Sequence, residues 1–213
     1  MLSVIPASQV SIDYLEKQYG LQESAQPDFF TEWKTDLGVL TGIEQQYLDR
    51  VKTHFKHLLK SPPLLENSVK MVVLSPLLDL AGFYDEPFRI KSEVGVEIAA
   101  QDENEVIRGR IDVLVLKDQF WILALESKRS DFDVNVAVGQ ALTYMLASPQ
   151  PETPAFAMVS NGQSFLFLKL VHQPQPQYAN SRLFSLVNPG NELYDVVSIM
   201  RHIGQVVTAA SCK

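Results

Sequence analysis

Residues 110–128 read RIDVLVLKDQFWILALESK, and this stretch decides the fold. The runs Val106 to Lys117 and Phe120 to Lys128 are nearly continuous in Ile, Val, Leu and Trp, the pattern of strands covered on both faces. Each nevertheless carries acid where an apolar residue is expected: Asp112 in the first, Glu126 followed by Lys128 in the second. An ionised carboxylate among such neighbours is costly unless it binds a cation or joins a hydrogen-bond network. Strand alternation sets Glu126 and Lys128 side by side and turns Ser127 away. If Lys117-Asp118-Gln119 is a three-residue loop, Leu116 pairs with Phe120 and Asp112 falls opposite Ala124, on the face of Glu126. A two-residue loop would set Asp112 opposite Leu125, on the other face. A metal site shared by the two acids therefore needs the odd loop, or a bulge that does the same job.

Outward from this pair, the alternating stretch Phe88 to Ala99 reads as a third strand. Before it, Leu64 to Gly82 reads as a buried helix that Gly82 stops. Further upstream, Ser8 to Tyr19 and Thr41 to Lys60 read as helices, Thr41 capping the second and Ser61-Pro62-Pro63 ending it. On the other side, Val134 to Ala147 reads as a helix, Ala155 to Ser160 and Ser164 to Val171 as strands around Asn161-Gly162, and Gln173 to Gln177 as an extended linker. A last helix is expected from Glu192 to about Thr208. The order predicts an α/β fold, a central mixed sheet flanked by helices over residues 61–213, with a helical extension over 1–60.

At 213 residues and 46% apolar, the chain is long and hydrophobic enough to bury a full core. A net charge of −7 argues against a wholly basic nucleic-acid coat protein, though not against a local basic groove. Arg108, Arg110, Lys128 and Arg129 could line one. The run Arg50, Lys52, His54, Lys56, His57, Lys60 reads as a solvated helix face, with a phosphate-contacting surface as the alternative. One cysteine, Cys212, allows neither an internal disulfide nor a Cys-rich zinc site. Met1 to Ala7 lacks the basic region of a secretory signal, and no stretch is apolar enough to span a membrane; a cytoplasmic protein is expected. There is no Walker loop, no His-Glu-x-x-His or Cys-x-x-Cys, and no Gly-x-Ser-x-Gly elbow.

Two carboxylates and an ammonium on one face suit phosphodiester hydrolysis assisted by Mg²⁺ or Mn²⁺, a hard cation that takes oxygen ligands and lowers the pKa of bound water. Lysine can orient or deprotonate that water. Their carboxylates should then approach within about 6 Å.

Asp112 and Glu126-Ser127-Lys128 on consecutive strands, with a helix before and a helix after, resemble the PD-(D/E)XK nuclease superfamily, the restriction-endonuclease-like fold. In some branches a Gln-x-x-x-Tyr motif follows on the next helix. Here Gln140-Ala141-Leu142-Thr143-Tyr144 stands in that place, with both polar groups on one helix face. The chain is most similar to the nuclease region of type I restriction R subunits, over about Leu64 to Leu170. The likeness includes the Leu-Ala-Gly-Phe end of the first helix and the Val-Ser-Asn-Gly-Gln turn at Val159 to Gln163. It departs at Ile111, where the family's proline is replaced. The resemblance implies Asp112, Glu126, Lys128, Gln140 and Tyr144 as catalytic residues, and Asp112, Glu126, Ser127 and Glu66 as metal ligands. Nucleic acid, DNA in the first instance, is the implied partner, with a homodimer or separate motor and specificity subunits also open, and no membrane.

Glu-x-Lys alone carries little, since a chain of this length contains about one by chance at roughly 6% usage for each residue. Glu32-Trp33-Lys34 is such a decoy, with no apolar strand around it. The competing reading is a catalytically silent module of the same fold that binds nucleic acid or a protein.

Overall fold

The computed structural model describes residues 3–60, 66–99, 105–116, 120–124 and 134–210. In chain order these form β1 (Ser3–Pro6), α1 (Ile12–Tyr19), β2 (Gln22–Glu23), α2 (Gly42–Leu58), α3 (Glu66–Val69) and, after a π turn at Lys70–Leu74, α4 (Ser75–Leu80). Then follow β3 (Arg89–Ala99), β4 (Glu105–Leu116), β5 (Phe120–Ala124), α5 (Val134–Leu146), β6 (Ala155–Ser160), β7 (Ser164–Val171), β8 (Gln177–Asn180), β9 (Phe184–Ser185) and α6 (Leu193–Ala210). The strands join in one mixed sheet ordered β1-β4-β5-β6-β7-β8-β2, with β3 also on β4 and β9 also on β7. β3, β4 and β5 are antiparallel neighbours, and α5 carries the chain from β5 to the parallel strand β6.

Local chemistry sets the helix ends. Ser11 caps α1 by accepting from Tyr14 N at 3.1 Å. Thr41 and Glu44 form a reciprocal capping box on α2: Thr41 N donates to Glu44 Oε2 at 2.6 Å, and Glu44 N to Thr41 Oγ1 at 3.3 Å. Gly82, at φ +80°, ends α4 and lets Phe83 N reach Leu78 O at 3.0 Å. The π turn has a cause in Pro76. A proline cannot donate to the carbonyl four residues back and crowds it, and the turn just upstream widens so that Ser75 N reaches Lys70 O.

Alternation in β6 and β7 divides the interior in two. Phe156, Met158, Phe165 and Phe167 face α2, α4 and α6, where Leu48, Val51, Phe55, Leu77, Val197 and Met200 complete a large core. Ala155, Ala157, Val159, Leu166 and Leu168 face α1 and α5. Burying each phenylalanine contributes about 1.5–3 kcal/mol, so the aromatic face carries much of the stability. The opposite face carries no phenylalanine from these two strands and includes Ala155 and Ala157, and there α5 packs Ala137 and Ala141 into the same core.

Several expectations are corrected. Residues 1–60 are not purely helical. β1 lies parallel to β4, Ser3 opposite Glu105 to Pro6 opposite Arg108, and β2 lies parallel to β8. The segment after Val171 is not only a linker, because Gln177–Asn180 pairs with β7. The β4–β5 register pairs Val115 with Phe120, Leu114 with Trp121 and Val113 with Ile122. Leu116 therefore does not pair with Phe120, and the three-residue loop is overturned. Continued by one step, this register sets Asp112 opposite Leu123, not opposite Ala124.

Candidate functional site

The side of the sheet under α5 holds the polar pair of the helix. Gln140 Nε2 donates to Tyr144 Oη at 2.9 Å, one turn apart on the same helix face. Tyr144 is fully buried, and Gln140 is half-buried. The phenol lies against β4 at Gly109, where any Cβ would collide with Oη. A glycine inside a strand marks such a close approach, and Gly109 is the one signal by which this contact could have been read from the sequence. A second close approach seats the helix, since a Cβ on Gly139 would collide with Val10 O. Gly109 is three residues from Asp112 on the same strand, and the register sets it beyond the described end of β5.

At that same end of the sheet, Ala124 pairs with Ser160, the last residue of β6. Ser160 Oγ accepts from Gly162 N at 2.9 Å, and Asn161 Oδ1 accepts from Gln163 N and Ser164 N. Gly162, at φ +83°, has no room for a side chain because Val69 packs onto it. Val69 is the last residue of α3, whose first is Glu66. The helix that begins at Glu66 is thus docked at the sheet end from which the chain continues toward Glu126.

Of Asp112 and Glu66 the structure describes the backbone alone, and Glu126, Ser127 and Lys128 lie outside the described residues, as does the expected approach of the two carboxylates. Among the described residues no three His, Cys, Asp or Glu side chains cluster so as to hold a metal ion. With Asp112 opposite Leu123, strict alternation beyond Ala124 would leave Glu126 on the other face. The register thus gives no support to a metal site shared by Asp112 and Glu126, the latter lying outside the described residues.

Other ionisable groups are accounted for by the scaffold. Arg108, expected in a basic groove, pairs with Glu97 across the β3–β4 register at 2.9 Å. Glu32 of the decoy binds Lys169 at 2.6 Å, with that ammonium 5.6 Å from the Phe29 ring centre and 5.8 Å from that of Phe156. Lys52 is not on a solvated face. It is buried and donates to the carbonyls of Gly190 and Asn188 at 2.6 and 3.1 Å, with desolvation pushing its pKa down. No helix among the described residues is long and apolar enough to cross a membrane. No protein-family model matches the chain, and no curated protein sequence matches it.

Proposed function

We propose that this chain is a nuclease of the PD-(D/E)XK kind, hydrolysing phosphodiester bonds in nucleic acid, DNA in the first instance. One observation carries the reading: the hydrogen-bonded Gln140–Tyr144 pair packs onto Gly109 of the strand that bears Asp112, beside the strand leading to Glu126. Two further features support it. The strand order β3-β4-β5 with α5 leading to a parallel β6 matches two acidic strands with a helix before and a helix after. The docking of α3 at Gly162 brings the start of Glu66's helix to the same end of the sheet.

Asp112 and Glu126, with Ser127 and Glu66 as further ligands, would hold a divalent cation, Mg²⁺ or Mn²⁺, which would supply charge neutralisation and a lowered water pKa. Lys128 would orient the attacking water and offset charge on the phosphate as the ammonium, or, as the neutral amine, take the water's proton and then carry that charge. Gln140 keeps an amide N–H and its Oε1 for a substrate phosphate or sugar. Tyr144, with no exposed surface, is a positioning residue that holds Gln140 in place.

The test is cleavage of single- and double-stranded DNA and RNA with Mg²⁺ or Mn²⁺ and without ATP. Wild type should cleave, and Glu126→Ala or Lys128→Ala should reduce the rate by at least about 10²-fold with affinity nearly intact. Gln140→Ala should be milder. Equal activity in wild type and Glu126→Ala would refute the reading. The silent-module reading has one observation in its favour, the register that sets Asp112 opposite Leu123. It expects no cleavage under any of these conditions.

A further inference from the structure

From Arg50 to Lys60 there is no acidic residue, in a chain whose net charge is −7. Lys52 is taken up by the carbonyls of Asn188 and Gly190. The rest of the run behaves differently. Arg50, His54, Lys56, His57 and Lys60 are all exposed, and among the described residues none has an acidic partner. The nearest acid on the helix, Asp49, is turned aside: its Oδ1 accepts from Tyr194 Oη at 2.7 Å and Asn191 Nδ2 at 3.0 Å. By contrast Lys17, Arg108, Lys169, Arg182 and Arg201 are each paired with carboxylates. The uncompensated positive charge therefore lies in a strip from Arg50 and Lys56, about 9 Å apart along α2 at 1.5 Å per residue, to Lys60 just past the helix end at Leu58.

Alongside this strip runs a groove of about 310 Å³, with Tyr47, Arg50 and His54 of α2 on one wall and Met71, Val72 and Pro76 of the π turn and α4 on the other. Arg50 lies 5.4 Å from the centre of the Tyr47 ring. Met71 is 75% exposed although it is one of the largest apolar side chains in that segment. An apolar slot with the Arg50 guanidinium at its rim suits a flat aromatic body attached to a phosphate. The apolar face of α2 is already spent in the core through Leu48, Val51 and Phe55, which disfavours a lipid surface, where that face would have to insert. A duplex keeps its bases stacked inside and cannot fill the slot, whereas a single strand presents bases and phosphates together.

We propose that this groove and the Arg50–Lys60 strip bind a single strand of nucleic acid, phosphates along the strip and a base between Tyr47 and Met71. That this strand is a substrate rests on the nuclease reading; its binding does not.

The experiment is fluorescence anisotropy of the full chain with a labelled oligothymidylate of roughly fifteen nucleotides, in EDTA and over a range of salt. Wild type should bind. Arg50→Glu combined with Lys56→Glu should weaken binding roughly tenfold or more and flatten the logarithmic salt slope by about 0.7 per lost phosphate contact. Met71→Glu should weaken the single strand as well. Lys17→Glu, on the helix covering the opposite sheet face, should change nothing. All four side chains are exposed, and unchanged melting temperatures verify the fold of each variant. The proposal is overturned if wild type does not bind, if the Arg50/Lys56 variant binds as wild type does, if a duplex of equal length binds as tightly, or if vesicles containing phosphatidylserine bind instead. A wild type that cleaves while the Arg50/Lys56 variant binds normally would reject this surface and leave the nuclease reading standing. Binding as expected without metal-dependent cleavage would do the reverse.

Discussion

Tyr144 brings a hydroxyl into an interior lined by Ala7, Ala141 and Leu142, and such a group is tolerated only where it is hydrogen-bonded. Gln140 supplies a bond, and Gly109 supplies the space. Tyr144→Phe keeps the ring and deletes the acceptor of Gln140, so it should cost about 1 kcal/mol. Gly109→Ala forces a methyl group into the phenol and should cost more, about 1–3 kcal/mol. Thermal melts of both variants test the order, at about 2–4 °C per kcal/mol for a chain of this size. A Gly109→Ala protein that melts with wild type would show that the close approach is absent. The spacing of Gln140 and Tyr144 on one face was legible from the helix period alone. Their bond to each other, rather than to solvent or substrate, was not, because it depends on how closely α5 seats on β4.

At the level of elements, three helices are clamped by one guanidinium. Arg201 of α6 pairs with Glu44 at the start of α2 and donates from Nε to Leu80 O at the end of α4, at 2.8 Å. Hydrogen bonds from Arg201 and then from Thr41 hold the Glu44 carboxyl at about 2, well below the ordinary 4.5. A carboxyl with a depressed folded-state pKa stabilises the protein above its unfolded value, and this contribution is lost as pH falls from 4.5 toward 2. Glu44→Gln should therefore be less stable than wild type at pH 7, with the difference shrinking over that acid window. Denaturant titrations at several pH values check it; a difference that stays constant across the window would contradict the clamp. Elements with local signals were legible in sequence. Thr41 and Gly82 marked helix ends by their own chemistry, and β6 and β7 were bounded by Pro154, the Asn161-Gly162 turn and their own dense apolar runs. β1 and β8 were not, because four-residue strands with polar or proline residues owe their existence to a remote neighbour already in the sheet. The β4–β5 register was not legible, because both runs are apolar on both faces and their pattern does not select between pairings one residue apart.

For the molecule as a whole, the first sixty residues are built into the same sheet and the same two cores. Leu15 and Leu21 complete the core under α5, and Leu48, Val51 and Phe55 that under α4 and α6. A chain of residues 61–213 alone would leave those apolar faces open to water, at about 1.5–3 kcal/mol per large side chain against a net stability of about 5–15 kcal/mol. It should show no cooperative melt and should aggregate; a truncated chain that is monomeric and melts sharply would contradict this. The central claim is the divalent-metal site of Asp112 and Glu126, and the most direct measurement is the melting of wild type and Asp112→Asn with and without Mg²⁺ at matched ionic strength. Converging carboxylates repel one another without metal, so Asp112→Asn should melt higher than wild type in EDTA. Mg²⁺ at ten times its Kd should stabilise wild type by about 1.4 kcal/mol, and the variant much less. A wild type whose melting Mg²⁺ leaves unshifted, beside an Asp112→Asn protein that melts lower in EDTA, would contradict the metal site.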